Sequence, residues 1–154
     1  MDNPSIETET AVPDPVKQLS IFMENKVGRL SDIFRLFDDS AIHVMALTTL
    51  DTTDCAITRV VVDDPQKAKE LLWEHDVTFS ESEVLAVEIV GEHDINRVLA
   101  ALLQTEINIH YIYAFVSRPH GRSALVISIE DTDLAVHILN THNIRVLSQR
   151  DISR

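Results

Sequence analysis

Between Val16 and Glu24 the apolar residues Leu19, Ile21 and Met23 fall two apart, the period of a half-buried strand. Asn25-Lys26-Val27-Gly28 breaks that pattern. Leu30, Ile33, Phe34 and Phe37 then recur at helical spacing, with Asp32 in the first turn. Ile42 to Leu50 and Cys55 to Val62 are apolar and β-branched, and Asp51-Thr52-Thr53-Asp54 between them reads as a turn. Asp64 is the expected N-cap of a second helix with Pro65 at its first position. Ala68, Leu71 and Leu72 form its apolar stripe, and Val77 to Phe79 a short fourth strand. The predicted order is β-α-β-β-α-β.

The pattern then begins again. Val84 to Val90 reads as a strand, Ile95, Val98, Leu99 and Leu102 mark a helix, and Ile107 to Val116 and Ala124 to Ile129 are strands around a turn with Pro119-His120-Gly121. Ala135, Ile138 and Leu139 mark a helix, and Ile144 to Leu147 a last strand. Leu30 aligns with Ile95, Ile33 with Val98 and Ile42 with Ile107, each 65 positions on. After the longer second hairpin turn the offset becomes 67. Ala68 then meets Ala135, Leu72 meets Leu139, His75 meets His142 and Val77 meets Ile144. One register held over more than a hundred residues is the mark of an internal repeat.

Composition narrows the class. A 45% hydrophobic, 25% charged chain is that of a globular protein, and aromatics at 5% leave the core to aliphatic side chains. A net charge of −12 repels phosphate backbones and anionic lipid, so neither nucleic acid nor membrane is an expected partner. Cys55 is the one cysteine and cannot pair within the chain. No basic segment followed by an apolar run opens the sequence, so no signal peptide is expected. No run of 18 apolar residues is present, and the expected location is cytoplasmic. Residues 1–15 carry four acids, three prolines and no base, and read as a disordered acidic tail. The first domain is expected over 16–82 and the second over 83–152.

Catalytic and metal chemistry find little footing. His110, His120, His137 and His142 show no ligand spacing, and His75 and His142 occupy equivalent helix C-termini, where a partial positive charge suits the dipole. Cys55 sits among apolar strand residues and reads as a small core side chain. There is no GxSxG and no phosphate-binding Walker loop. An RNA-reading sheet needs a basic face, and Tyr111, Tyr113 and Phe115 on an acidic protein are a weak substitute. No catalytic residue, metal or cofactor is expected.

The segment Asn25 to Leu30 does offer binding chemistry. Gly28 lets a ligand approach the backbone, and the N–H groups of Gly28, Arg29 and Leu30 at a helix start suit a carboxylate. Asn25 provides both a donor and an acceptor. Together they match an α-amino acid, although Asn25 and Gly28 equally serve as a tight strand-to-helix turn.

This loop, Asn25-Lys26-Val27-Gly28-Arg29-Leu30, resembles the ligand loop of ACT domains, regulatory modules attached to aspartate kinase, phosphoglycerate dehydrogenase and prephenate dehydratase. Asn25, Gly28 and Leu30 match that pattern, while Val27 stands where proline is common. Val16 to Ile152 is also similar to stand-alone tandem ACT proteins, whose first copy carries a segment like Lys17 to Leu30. In the second copy Gly91-Glu92-His93-Asp94 departs from the loop pattern, but Ile107-Asn108-Ile109 keeps the second-strand start that His43 replaces in the first. The resemblance implies a composite site of Asn25, Lys26, Val27, Gly28, Arg29 and Leu30 with Ile107, Asn108, Ile109 and His110, shared between paired domains.

The resulting expectation is an α+β protein of two tandem ferredoxin-like ACT domains paired side by side, their antiparallel sheets joined into eight strands. It is expected to be a non-catalytic regulator that binds an amino acid, forms a homodimer and acts on a metabolic enzyme or regulator. The alternative is an interaction module of the same fold that takes no small ligand.

Overall fold

The computed structural model describes residues 14–24, 28–52 and 54–153. In chain order come β1 (Val16–Glu24), α1 (Arg29–Asp39), β2 (Val44–Asp51), β3 (Cys55–Val62), α2 (Pro65–Glu74), β4 (Thr78–Ile89), α3 (Glu92–Leu103), β5 (Ile109–Ala114), β6 (Ser123–Ile129), α4 (Thr132–Thr141), β7 (Val146–Leu147) and α5 (Gln149–Ile152). A 3-10 turn at Pro119–Gly121 links β5 to β6. The βαββαβ order therefore occurs twice, in an α+β fold.

Local chemistry repeats along with the order. Asp64 accepts from Lys67 N with Pro65 at the helix start, and Asp131 accepts from Leu134 N in the second copy. Each long helix is followed by a left-handed residue. Ala41 (φ 57°) and Glu106 (φ 56°) follow α1 and α3, and Asp76 (φ 55°) and Asn143 (φ 58°) follow α2 and α4. His75 and His142 donate from Nδ1 to the carbonyls of Leu71 and Ile138, at 2.9 and 2.8 Å. A carbonyl only accepts, so Nδ1 carries the proton, and both histidines serve as helix C-caps.

The sheet has seven strands in the order β2-β3-β1-β4-β6-β5, with β7 also on β4. The expected eight strands become seven because the fourth strand of the first copy and the first strand of the second are one. Residues 78–84 of β4 pair with β1, from Phe22↔Thr78 to Val16↔Val84, and residues 85–89 pair with β6. Val77 to Val90 contains no glycine, proline or asparagine, so nothing interrupts the strand between the two short strands expected there, and the boundary drawn between 82 and 83 falls inside it.

The outer ends of the sheet meet. Ala46 bridges Phe115, and Val116 N donates to Met45 O at 2.8 Å. The curled sheet encloses an inner core that includes Val16, Met45, Val61, Val84, Val126 and Leu147. Two outer cores lie under the helices. One packs Ile33, Phe37, Ala68 and Leu72 on β1 and β3, and the other packs Val98, Leu102, Ala135 and Leu139 on β4 and β6.

The end of the chain straps the second copy to the first. Gln149 is buried, accepts from Lys17 N at 3.0 Å and donates to Val62 O at 3.2 Å, while Ser153 Oγ donates to Asp63 O. Asp14 completes the strap: its carbonyl accepts from Gln149 N and its carboxylate from Arg150 N, each at 2.8 Å. Asp14 is thus anchored, contrary to its placement in a free tail. Residues 1–13 of that expected tail lie outside the described residues.

Candidate functional site

Asn25, Lys26 and Val27 lie outside the described residues. Gly28 is the N-cap of α1, with φ 90° and ψ −13°, and no side chain hydrogen-bonds to that cap. This is the left-handed region, so the turn itself favours glycine. An added Cβ would meet nothing within 4 Å, so the demand comes from the backbone and not from crowding. Asp32 N bonds Gly28 O at 2.9 Å and closes the first turn. Arg29 is exposed, and Leu30 packs against the first outer core. Helices α2 and α4 each carry an aspartate cap, whereas no described side chain closes the start of α1. Its first amides form an anion-attracting end.

The corresponding end of the second copy is built differently. Helix α3 starts at Glu92 behind Gly91, which is extended (φ −162°), so the loop after β4 is reduced to Val90 and Gly91. The Asp94 carboxylate folds back to accept from Val90 N at 2.6 Å and from Arg97 Nη1 at 3.1 Å. The Val90 N–H, and after it Arg97, hold the Asp94 carboxyl below its ordinary range. The chain's own carboxylate therefore occupies this loop.

Ile107 and Ile109 are half-buried against the second outer core, and Asn108 and His110 are exposed. Asn108 Nδ2 donates to Glu130 Oε2 at 3.1 Å, and Glu130 N returns a bond to Asn108 O at 3.1 Å. The first copy repeats this with other residues. His43 N and Nδ1 each meet the Asp63 carboxylate at 2.8 Å, and Asp63 N bonds His43 O. The departure of His43 from asparagine thus preserves an acid-held second-strand start.

The two halves of the expected site lie at different levels along β4 and at the same level across the closed edge of the sheet. Ile109 pairs with Ile129, and extending the Leu85↔Ile127 register puts Ile129 level with residue 83 of β4. The first loop lies beyond Phe22, which is level with Thr78. Those five strand residues span roughly 17 Å along β4, while the Ala46–Phe115 bridge puts Ile109 level with Thr52, and through it with Cys55 and Glu24, across the closed edge. Among the described residues no hydrogen bond links 28–30 with 107–110.

Ile107 instead borders a cleft of about 820 Å³ between the copies, lined also by Glu83, Glu106, Glu130, Asp131 and Asp133. Five carboxylates give it a negative field suited to an ammonium group. The sequence shows these acids only as strand and helix ends, and their convergence depends on the fold. Among the described residues no three His, Cys, Asp or Glu side chains are arranged to hold a metal, and no described helix is long and apolar enough to cross a membrane.

Sequence reasoning also missed a buried polar network. Gln18 is fully buried, and Tyr111 and Tyr113 point into the inner core. Gln18 Nε2 donates to Tyr111 Oη at 2.7 Å, and the Arg59 guanidinium lies 4.1 Å above the Tyr111 ring. Burial pushes the Tyr113 hydroxyl well above its ordinary pKa.

A family model described as an ACT domain pair matches residues 15–154. The search of curated proteins returns no match. Among solved structures, the chain resembles protein BT0572 from Bacteroides thetaiotaomicron at 27% identity and a TM-score of 0.82, with 91% of this chain and 96% of that one covered. The regulatory subunit of aspartate kinase from Thermus thermophilus, in its ligand-free form, is similar at 16% identity and a TM-score of 0.60, covering 84% and 94%. The same subunit from Thermus flavus is similar at 20% identity and a TM-score of 0.53, covering 80% and 92%. At these identities the two Thermus subunits establish likeness of fold alone.

Proposed function

The chain belongs to the ACT domain pair family, and from that premise we propose that it is a non-catalytic regulatory protein that binds a free amino acid. ACT domains are regulatory modules. The observation that carries the reading is the start of α1. A left-handed Gly28 presents first-turn amides that no described side chain caps, while the second copy fills its own loop with Asp94. A ligand carboxylate fits the open end, and Asn25 beside it in sequence supplies a polar partner.

The ammonium group requires acceptors, and the Asn108–Glu130 pair with Ile107 and His110 provides them on an acidic surface. In this reading a second copy completes the site, and the protein acts as a homodimer. Ligand binding then favours one arrangement of the dimer and passes that preference to a metabolic enzyme or regulator in the cytoplasm, with a coupling of about 1–3 kcal/mol.

A thermal-shift screen of the twenty amino acids, followed by calorimetry and sedimentation, tests this. A ligand at about 100 times its dissociation constant adds about 2.7 kcal/mol to stability. Asn108→Ala is expected to weaken binding by about 1–3 kcal/mol if its amide meets a charged ligand group. Absence of any stabilising amino acid removes the ligand reading. A ligand bound with full affinity by a monomer removes the shared site.

A further inference from the structure

At the opposite end of β6 from the acidic cleft, the second copy gathers three arginines around a pocket that Glu88 and Asp94 also line. Arg122 precedes β6, Arg145 precedes β7 and Arg97 stands on α3, so three elements each deliver one guanidinium to a pocket of about 650 Å³. His120, on the hairpin turn, lines it too. Such convergence is unexpected by chance on a chain of net charge −12.

The arginines are held in place from within. The Glu88 side chain is only 6% exposed and takes Arg122 Nη1 at 3.0 Å and Arg145 Nη1 at 3.5 Å. Arg145 Nη2 also reaches Asp151 at 3.5 Å. Asp94 takes Arg97 Nη1 at 3.1 Å, and Arg97 Nη2 donates to His142 O at 2.6 Å. A guanidinium has five N–H donors, so these contacts leave most of them unused. The three side chains remain 52–60% exposed. One buried carboxylate is normally matched by a single two-pronged arginine. Here it fixes two, each by one prong, and leaves the others to the pocket.

We infer that this pocket binds a small phosphoryl anion, either free phosphate or a phosphate monoester. Guanidinium groups match phosphate oxygens in geometry and are weakly hydrated. Three of them arriving from three elements suit a tetrahedral group with three oxygens better than a planar carboxylate with two. The site is separate from the Gly28 loop and does not rest on the amino-acid reading.

The test follows the arginine Nε–Hε signals of the full chain by NMR during titration with sodium phosphate, against sodium chloride at matched ionic strength. The expected result is saturable movement of the Arg97, Arg122 and Arg145 signals with phosphate and not with chloride. Glycerol phosphate in a parallel titration separates the sources. Tighter binding than phosphate identifies a monoester, and weaker binding the free ion. Arg97→Gln leaves the Glu88 contacts untouched and is expected to weaken binding about ten-fold or more, the effect of losing one charge-assisted hydrogen bond. Since Arg122→Gln alone strands a buried carboxylate, Glu88→Gln with Arg122→Gln is the second variant, with the same expected loss. Equal shifts in chloride, no saturation, or parental affinity in both variants overturns the inference.

Discussion

The Tyr113 hydroxyl donates to Gln18 Oε1 at 2.5 Å, joining β5 of the second copy to β1 of the first inside the enclosed core. The Gln18 amide is completed by Tyr111 at 2.7 Å and Ser82 at 3.3 Å. Among the described residues every buried side-chain polar atom has a partner.

Removing one member of that pair therefore strands the other. Gln18→Leu leaves the Tyr113 hydroxyl unpaired and is expected to cost about 1–3 kcal/mol, and Tyr113→Phe about 1 kcal/mol. The double variant should be more stable than the sum of the two losses predicts, because neither the Tyr113 hydroxyl nor Gln18 Oε1 is then left without the other. Urea unfolding of the four proteins measures the coupling, and strict additivity would refute it.

Ala41 and Gly28 predict opposite signs for opposite exchanges of alanine and glycine. Both sit at positive φ, 57° and 90°. A left-handed alanine costs roughly 1–2 kcal/mol in the folded state, and glycine costs about 0.4–1 kcal/mol in unfolded-chain entropy. Ala41→Gly should stabilise by about 0.5–1 kcal/mol. Gly28→Ala should destabilise by a similar amount although its Cβ meets no atom within 4 Å. Shifts of the denaturation midpoint in the same direction would contradict this account. Gly28→Asp carries the same backbone cost, so it disturbs folding as well as the loop.

Asp94 and Asp151 make stability fall in acid. The Val90 N–H lowers the pKa of Asp94, and the Ser148 N–H that of Asp151. A group whose folded pKa is depressed stabilises above its unfolded value, about 3.9, and loses that contribution as pH falls through the folded one. Thermal unfolding between neutral pH and pH of about 2 should therefore drop less steeply for Asp94→Asn with Asp151→Asn than for the parent. Parallel curves would show that neither carboxylate contributes.

Asp14 is expected to matter to the strap. Asp14→Ala removes the acceptor for Arg150 N and should cost about 1 kcal/mol, as for other helix-start caps. Amide exchange at Arg150 should quicken. Unchanged exchange there would show that the contact is not maintained in solution.

The repeat was readable because its register rests on side chains that must be buried. Leu72 and Leu139 are both fully buried, as are Ala68 and Ala135, at the offset found from spacing alone. Helix starts were readable where chemistry is local, as with Asp64 and Pro65. The fused β4 was not, because weak hydrophobicity around Ser80 to Glu83 looks the same in a linker and in a strand paired on one side. The inner core was hidden for a related reason. Periodicity says that Tyr113 and Val126 face inward, but not that another sheet waits there. Gln18 read as an ordinary strand polar residue because its partner lies 95 positions away. At the candidate site, sequence identified Gly28 as special, and its positive φ gives the backbone reason. The acidic cleft and the arginine pocket arise only when strand ends converge.

The sharing of β4 also bears on how such a protein can change over generations. Two copies joined by a loose linker can be excised, reordered or exchanged with other modules. Here a break between Ser82 and Glu83 would divide a ladder that runs from Phe22↔Thr78 to Ile89↔Ser123 and leave each half with a truncated strand. Duplicated halves locked in this way are inherited as one unit. Each is then free to lose what the other retains, as the loop of one and the second-strand asparagine of the other illustrate.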